Sequence, residues 1–285
     1  MTPTRTRTAA PYPLTWLYVP GDRPSVVTKA LGSGADVVLI DLEDAVAPER
    51  KEYARSATAE LLSEPPPVPV HVRVNALTGP LAEADLQAMS SLPGVSGLRL
   101  PKVTSPGDVV HVAERTAPAE GGALNLYALL ESALGVERAF AVASAHPALH
   151  GVSLGESDLR ADLGVRDDAG LDWARGRVVV AARAAGLAPP TQSVHPDIRD
   201  LDGLAASCAR GRALGFLGRA AIHPRQLPVI ERAYLPSPEE IVAAQEVVKA
   251  AATEHGALAL PDGRFVDAAV VNDARRTLAL ADRLS

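Results

Sequence analysis

The residues best suited to chemistry form an acidic cluster at the end of an apolar run. The segment VVLIDLEDAV (37–46) passes through aliphatic residues and then places Asp41, Glu43 and Asp44 within four positions. Carboxylates in this position can support a cation site, pair with arginine or lysine, or cap the helix that follows. For Asp44 in particular, the spacing also fits a helix N-cap, and the two roles are compatible.

Charged residues follow other apolar segments in the same way. Arg73 lies near the end of VPVHVRV and the polar Asn75 directly after it, Lys102 and Glu131 are the last residues of SGLRLPK and LNLYALLE, and Asp158 lies just beyond LHGVSLG. If these segments are parallel strands of a barrel, their C-terminal ends meet at one mouth. The sequence therefore predicts that charged groups far apart along the chain converge on one rim.

Glu131 and Asp158 are candidate ligands of a metal ion. Two carboxylates, completed by water and a bidentate substrate, make a hard oxygen site of the kind that Mg²⁺ prefers. The alternative is that each caps a helix or pairs with a basic side chain, and spacing alone leaves both open. We expect a surrounding layer of charged residues to hold these ligands in place, formed by Asp41, Glu43, Asp44 and Lys102.

Arg73 also has two interpretations. Its planar guanidinium suits a substrate carboxylate better than a lysine would. The alternative is a salt bridge to the acidic cluster at 41–44.

The elements that must position these residues alternate between strand-like and helix-like segments. Eight apolar segments suit strands: 14–19, 37–42, 68–74, 96–102, 124–131, 149–155, 192–197 and 215–224. Segments with helical periodicity lie between them, such as PERKEYARSATAELLS and LDWARGRVVVAARAAG. This alternation predicts an α/β fold, a (β/α)₈ TIM barrel with a C-terminal helical extension. No GxGxxG fingerprint follows the first segment, which disfavours a dinucleotide-binding sheet.

The predicted domain organisation has three parts. Residues 1–13 read as a flexible N-terminal tail, 14–235 as the barrel, and 236–285 as a C-terminal helical arm. The arm exceeds what a barrel needs. We expect it to pack at a subunit interface, with a lid as the alternative.

The charge, apolar content and cysteine content of the chain limit the kinds of partner and compartment that we expect. The formal net charge is −6 over 285 residues and the basic residues are scattered, so nucleic acid is not expected as a partner. The sequence has neither a run of about 18 apolar residues nor a secretory h-region, and a membrane partner is not expected either. The single cysteine, Cys208, excludes an intramolecular disulfide and fits a reducing compartment, so a cytoplasmic protein is predicted.

Several motifs resemble the citrate lyase β subunit family, which belongs to a wider aldolase superfamily. They are LYVPGDRPSVVTKALGSGADVVLIDLEDAVAPERKEYAR, HVRVNAL, RLPKV, LLESALGV, SLGESDLRADLG, DIRDLDGL, LGFLGRAAIHPRQL and YLPSPEEI. The resemblance covers nearly all of the chain from residue 14 onward. It implies a TIM barrel, a homotrimer or hexamer, and Mg²⁺-dependent cleavage of 3-hydroxy-acyl thioesters.

The resemblance also implies roles for individual residues. Glu131 and Asp158 would bind Mg²⁺, Arg73 would bind the substrate carboxylate, and Glu131 would also touch substrate. Asp267, in GRFVDAA, would be the catalytic acid/base, in its own or a neighbouring subunit. The chain departs from the family pattern at Ser157, where an acid is usual, and at 191–192, where Thr-Gln replaces Ile-Asp.

The expected reaction is citryl-CoA-type cleavage to a 2-oxo acid such as oxaloacetate and an acetyl thioester. Alternatives are a malyl-CoA or citramalyl-CoA lyase, or a citrate lyase complex subunit that acts on an acyl carrier protein thioester. A protein that binds a metal and an oxo acid without catalysis is a third possibility from a different class.

Overall fold

A computed structural model of the chain describes residues 12–117, 124–253, 258–259 and 263–284. The described residues divide into two compact units. One is Pro13–Glu231, and the other comprises Tyr12 and the residues from Arg232 onward. Residues 1–11 of the predicted tail lie outside the described residues.

The first unit is built on a parallel sheet. Its strands are β1 (Thr15–Pro20), β2 (Val37–Asp41), β3 (Val70–Arg73), β4 (Gly97–Leu100), β5 (Asn125–Leu130), β6 (Leu149–Leu154) and β7 (Arg219–Ala221). The helices are α1 (Pro24–Leu31), α2 (Lys51–Leu61), α3 (Ala82–Met89), α4 (Pro106–Arg115), α5 (Ala133–Glu137), α6 (Ala139–Ala143), α7 (Glu156–Leu163), α8 (Asp172–Ala184) and α9 (Leu201–Ala213). Over the described residues the strand order is β6-β5-β4-β3-β2-β1-β7.

This sheet is curled into a barrel. Three strands separate β1 from β5 in the sheet order, yet the ring centroids of Trp16 in β1 and Tyr127 in β5 are 5.9 Å apart. His71 of β3 contacts both rings, with centroids at 5.0 Å from Trp16 and 4.4 Å from Tyr127. Such contacts require the strands to wrap around a common interior. The α/β barrel predicted from the sequence is therefore confirmed.

Strand alternation sorts the side chains between two faces. The residues of one parity, such as Val38, Ile40 and Val72, are fully buried aliphatics on the face opposite the barrel interior. The residues of the other parity point into the barrel. The cross-strand register shows this for Asp41, Arg73, Arg99 and Tyr127, which lie side by side on neighbouring strands in that order. The interior therefore carries charge and aromatic rings, whereas the apolar core lies outside the barrel wall.

The seventh predicted strand, 192–197, is wrong. Among the described residues of this segment, only Gln192 pairs with the sheet, in an isolated parallel bridge to Arg219 of β7. Pro190 precedes this segment and Pro196 lies within it, and neither can donate a ladder hydrogen bond. The predicted eighth strand, 215–224, also shrinks to Arg219–Ala221, because Gly218 has a positive φ of 73°.

Beyond α10 (Leu227–Tyr234), which contains the boundary between the units, the chain forms the predicted helical extension. It comprises α11 (Pro238–Thr253), the short antiparallel strands β8 (Leu258–Ala259) and β9 (Phe265–Val266), and α12 (Ala268–Ala281). A small core of Ala244, Val247, Val266 and Ala274 joins the two helices and β9. A role at a subunit interface stays a prediction. No described helix has the length and apolar character of a membrane span.

Candidate active site

The acidic cluster after β2 is held together by Arg73 at the end of β3. Arg73 Nε donates to Asp41 Oδ1 at 2.7 Å and Nη2 to Asp41 Oδ2 at 2.6 Å, and both side chains are nearly buried. The same two oxygens of Asp41 accept the backbone N–H groups of Glu43 and Ala45, each at 2.9 Å. Asp41 therefore ties the turn after β2 to the neighbouring strand.

Arg73 also reaches the other two acids of this cluster. Its Nη1 lies 3.1 Å from Glu43 Oε2 and 3.2 Å from Asp44 Oδ2. Burial by itself would lower the pKa of Arg73, but the hydrogen bonds and charge of Asp41 outweigh it and raise the pKa. The salt bridge that the sequence offered as an alternative for Arg73 is present in the structure. A substrate carboxylate at this arginine would have to share the guanidinium with the acidic cluster.

Lys102 connects that cluster to Glu131. It adopts a left-handed backbone conformation, φ 54°, which is unfavourable for a residue with a side chain. In this conformation its N–H donates to Glu131 Oε1 at 2.7 Å, while its ammonium contacts Glu43 in a short ion pair. Lys102 Nζ also lies 3.7 Å from Asp158 Oδ2 and 4.0 Å from Glu131 Oε1. One ammonium thus faces carboxylates from three different strand ends.

Glu131 is a strongly perturbed carboxylate. It follows β5 and is 5% exposed. Burial, and then the negative charge of Glu43, raise its pKa to about 7. A Cβ at position 155 would lie 2.3 Å from Glu131 Oε2, so Gly155 is required beside this side chain. The site holds Glu131 in a place where its negative charge is poorly compensated by the protein.

Asp158 lies in the first turn of α7 and is half-exposed. The start of this helix is fixed by Glu156, whose carboxylate accepts two hydrogen bonds from buried Arg175, at 2.9 and 2.7 Å. Asp168 and Asp172 complete the pairing of Arg175. The sequence analysis did not identify Arg175. The signal for it was a basic residue in the α-helix that follows the GESDL motif, where it can pair with Glu156.

The residues fit a divalent cation of the hard type. Glu131 and Asp158 both lie near the Lys102 ammonium and both line one pocket. Among the described residues, no group of three or more histidine, cysteine, aspartate or glutamate side chains is arranged so that it could hold a metal ion. A cation here would therefore take two carboxylates from the chain and its other ligands from water or substrate, as Mg²⁺ commonly does. Burial, and then the negative charge of Glu43, raise the pKa of Glu131, and the positive charge of such an ion would favour its ionised form.

The pocket between these groups has a volume of about 320 Å³. Asp41, Asp44, Arg73, Glu131 and Asp158 all line it. Thr191, Gln192 and Ser157, where the chain departs from the family pattern, line it as well. The structure therefore brings the predicted site residues of the first unit together, with Glu43 and Lys102 bonded to them.

Two contributors to this pocket were missed by the sequence reasoning. Gly155 is needed for the fit of Glu131, and Arg99 of β4 lines the pocket wall. The available signal for Arg99 was a charged residue between two leucines in the segment SGLRLPK, at the parity that faces the barrel interior.

Asp267, the predicted acid/base, lies in the second unit at the N-terminus of α12. Its Oδ1 accepts the backbone N–H groups of Ala269 at 2.9 Å and Val270 at 3.0 Å. It is thus a helix N-cap. Its catalytic role stays a prediction.

Fold and site together define a class: an α/β barrel with a carboxylate-rich mouth, suited to a hard cation, at the C-terminal ends of its strands. The sequence profile of the HpcH/HpaI aldolase/citrate lyase family matches residues 14–224. The chain belongs to this family of enzymes.

Curated relatives include two with different named activities. A (3S)-malyl-CoA thioesterase of Cereibacter sphaeroides is 35% identical over 278 residues, 94% of either chain. A citrate lyase subunit β-like protein of Mycobacterium tuberculosis is 35% identical over 271 residues, covering 92% of this chain and 93% of the relative.

Solved structures include that of the CitE protein of Mycobacterium tuberculosis in complex with magnesium, acetoacetate and coenzyme A. It superposes with a TM-score of 0.81 at 34% identity, covering 96% of this chain and all of that one. A citrate lyase β subunit of the same organism, complexed with oxaloacetate and magnesium, gives a TM-score of 0.68 at 33% identity, covering 82% of this chain and 100% of that chain. These likenesses agree with the barrel fold and with the family recognised in the sequence.

Proposed function

We propose that this protein is a Mg²⁺-dependent carbon–carbon lyase that cleaves a 3-hydroxy-acyl thioester of the citryl-CoA type. The products would be a 2-oxo acid such as oxaloacetate and an acetyl thioester. The observation that carries this proposal is the placement of Glu131 and Asp158 on one pocket, with the charge of Glu131 poorly compensated. Relatives complexed with magnesium and oxaloacetate, or with coenzyme A, support it.

Glu131 and Asp158 would hold the Mg²⁺, and Glu131 would also contact the substrate. The ion, when bound, supplies positive charge that stabilises oxygen atoms as they become negative. Arg73 would orient the substrate carboxylate while still paired with Asp41, and so act as a positioning group. Asp41, Glu43, Asp44 and Lys102 would keep Arg73 and Glu131 in place through the contacts described above.

The reaction requires two proton movements. The 3-hydroxyl group loses its proton, the bond between C2 and C3 of the acyl chain breaks, and the electron pair moves onto C2 of the acetyl thioester as an enolate. The carbon that carried the hydroxyl becomes the carbonyl of the 2-oxo acid. Asp267, in its own or a neighbouring subunit, would donate a proton to the enolate carbon, and in the reverse direction it would remove one from the acetyl methyl group.

A second candidate is hydrolysis of the thioester, favoured by the similarity to a (3S)-malyl-CoA thioesterase. Malyl-CoA or citramalyl-CoA lyase activity, and action on an acyl carrier protein within a citrate lyase complex, are the other forms of the lyase proposal. A homotrimer or hexamer is proposed for the assembly.

The deciding experiment incubates the purified chain with citryl-CoA, malyl-CoA, citramalyl-CoA and a citryl thioester of an acyl carrier protein, with Mg²⁺ or with EDTA. The 2-oxo acid, acetyl-CoA and free CoA are measured separately. Mg²⁺-dependent release of a 2-oxo acid with an equal amount of acetyl-CoA, lost in Glu131→Ala, supports the lyase. Free CoA without acetyl-CoA supports hydrolysis, and turnover only of the carrier protein thioester supports the complex subunit. If no thioester is turned over, the lyase proposal is wrong.

A further inference from the structure

Arg99 is a buried cation that faces the candidate site, and it has no carboxylate partner among the residues that the structure describes. It lies in β4, in register with Arg73 of β3, and is 4% exposed. In the described part of the chain no acidic side chain pairs with it. Its Nη1 donates to Ser153 Oγ at 3.2 Å, and its Nε is buried with no hydrogen-bond partner among the described residues.

Two aromatic rings partly stabilise the buried positive charge of Arg99. The Arg99 guanidinium carbon lies 4.5 Å from the ring centroid of Trp16 and 5.3 Å from that of Tyr127. A cation–π contact is weak compared with the free-energy cost of removing an ion from water. Burial accordingly lowers the pKa of Arg99, and it lowers the pKa of the adjacent His71 far enough to leave that ring uncharged near neutral pH. The rings therefore leave the charge of Arg99 only partly balanced.

The other cationic groups around the pocket are already engaged. Arg73 is held by Asp41, Glu43 and Asp44, and Lys102 by Glu43. A second anionic group on a ligand that enters deep between β3 and β5 would meet Arg99. The Arg99 guanidinium thus lies on the wall of the pocket, and no carboxylate of the described residues pairs with it.

From this placement, and resting on the lyase function proposed above, we infer that Arg99 forms a second carboxylate subsite and that the 2-oxo acid handled here is a dicarboxylate. A 2-oxo acid with a single carboxylate would leave Arg99 buried and unpaired in the complex. A second carboxylate would receive charge-assisted hydrogen bonds from the guanidinium. Arg99 is thereby a specificity residue that selects substrates by the number of their carboxylates.

Oxaloacetate and pyruvate test this inference because they differ by one carboxylate. Their affinities for the Mg²⁺-loaded protein are measured by titration calorimetry with freshly prepared oxaloacetate. Wild type should bind oxaloacetate at least about tenfold more tightly than pyruvate, a difference typical of one charged hydrogen bond. Arg99→Met should abolish this preference while leaving the pyruvate affinity within about twofold, and Arg99→Lys should retain part of it.

Arg115→Met is the matched control. It removes the same charge from an exposed arginine of α4 that pairs with Glu83, and it should leave the preference unchanged. Should Arg99→Met fail to fold, Ser153→Ala removes the Nη1 partner while keeping the charge, and a reduced preference in that variant supports the subsite. Equal binding of both acids by wild type, or a full preference retained in Arg99→Met, would overturn it.

The outcomes separate this inference from the lyase proposal. A protein that prefers the dicarboxylate through Arg99 but cleaves no thioester keeps the subsite and refutes the lyase. A protein that cleaves thioesters to a monocarboxylic 2-oxo acid, with Arg99→Met unaffected, keeps the lyase and refutes the subsite.

Discussion

Arg73 and Asp41 are joined by two parallel hydrogen bonds between nearly buried groups, at 2.7 and 2.6 Å. Asp41→Ala leaves the guanidinium without its main partner, and breaking a buried pair in this way typically costs about 3–5 kcal/mol. We expect the free energy of unfolding in urea to fall by roughly 3 kcal/mol. Glu246→Ala, which removes an exposed pair with Arg264, is the control and should cost less than about 1 kcal/mol. Equal losses in the two variants would contradict this account.

The fit between Gly155 and Glu131 gives a second prediction. A methyl group at position 155 would lie 2.3 Å from Glu131 Oε2, so Gly155→Ala must displace the carboxylate. We expect Mg²⁺ binding, measured by calorimetry, to weaken by about tenfold or more. Gly176→Ala in α8 is the matched control, because a Cβ there has nothing within 4 Å. That variant should bind Mg²⁺ normally and be slightly more stable, since alanine favours the helix. Unchanged binding in Gly155→Ala would show that Glu131 is not held as described.

Lys102 places its ammonium among the carboxylates that would hold the cation. Lys102→Met removes this competing positive charge, so the rise in melting temperature on addition of Mg²⁺ should be larger than in wild type. Without Mg²⁺ the variant should be less stable, because Glu43 loses its ion pair with Lys102 and keeps the one with Arg73. Lys29→Met, on the exposed side of α1, tests for a general charge effect and should leave the Mg²⁺ response unchanged. A smaller response in Lys102→Met would instead indicate that the lysine assists binding of the ion.

Stability in EDTA should depend on pH through Glu131. Its pKa in the folded chain is about 7, above the ordinary value of 4.5, so the folded state binds more protons than the unfolded state between these values. The free energy of unfolding should therefore fall as the pH rises from about 4.5 to about 7, and the Glu131 contribution should level off above that. Glu131→Gln lacks this titration and should gain up to about 3 kcal/mol relative to wild type between pH 5 and pH 8. Parallel urea-melt profiles for the two proteins would contradict the raised pKa.

Asp267 can be tested without disturbing the fold. Asparagine is as good an N-cap as aspartate, so Asp267→Asn should keep the free energy of unfolding within about 0.5 kcal/mol. If Asp267 is the acid, the same variant should lose about 10²-fold or more in turnover of the best thioester. Asp267→Ala should lose both activity and about 1 kcal/mol of stability. Full turnover in Asp267→Asn would remove this residue from the mechanism.

Much of the fold followed from periodicity. The apolar segments at 37–42 and 149–155 and the helices between the strands repeat often enough to predict a barrel, and six of the predicted strands appear close to their expected places. The segment 192–197 failed because alternation does not register the loss of ladder hydrogen bonds at Pro190 and Pro196. The hydrophobic pattern of a segment indicates which side chains are buried. Strand pairing also requires backbone N–H groups that can donate hydrogen bonds.

The sequence by itself determined the barrel fold, the family and the convergence of Asp41, Arg73, Glu131 and Asp158, because parallel strands bring their C-terminal ends to one mouth. Only the tertiary structure decided which charges meet. It paired Arg73 with Asp41 and placed the Lys102 ammonium among the carboxylates, and it gave Arg99 no carboxylate partner within the described part of the chain. Pairing depends on side-chain direction and on distances of a few ångströms between residues distant in sequence, and periodicity fixes neither.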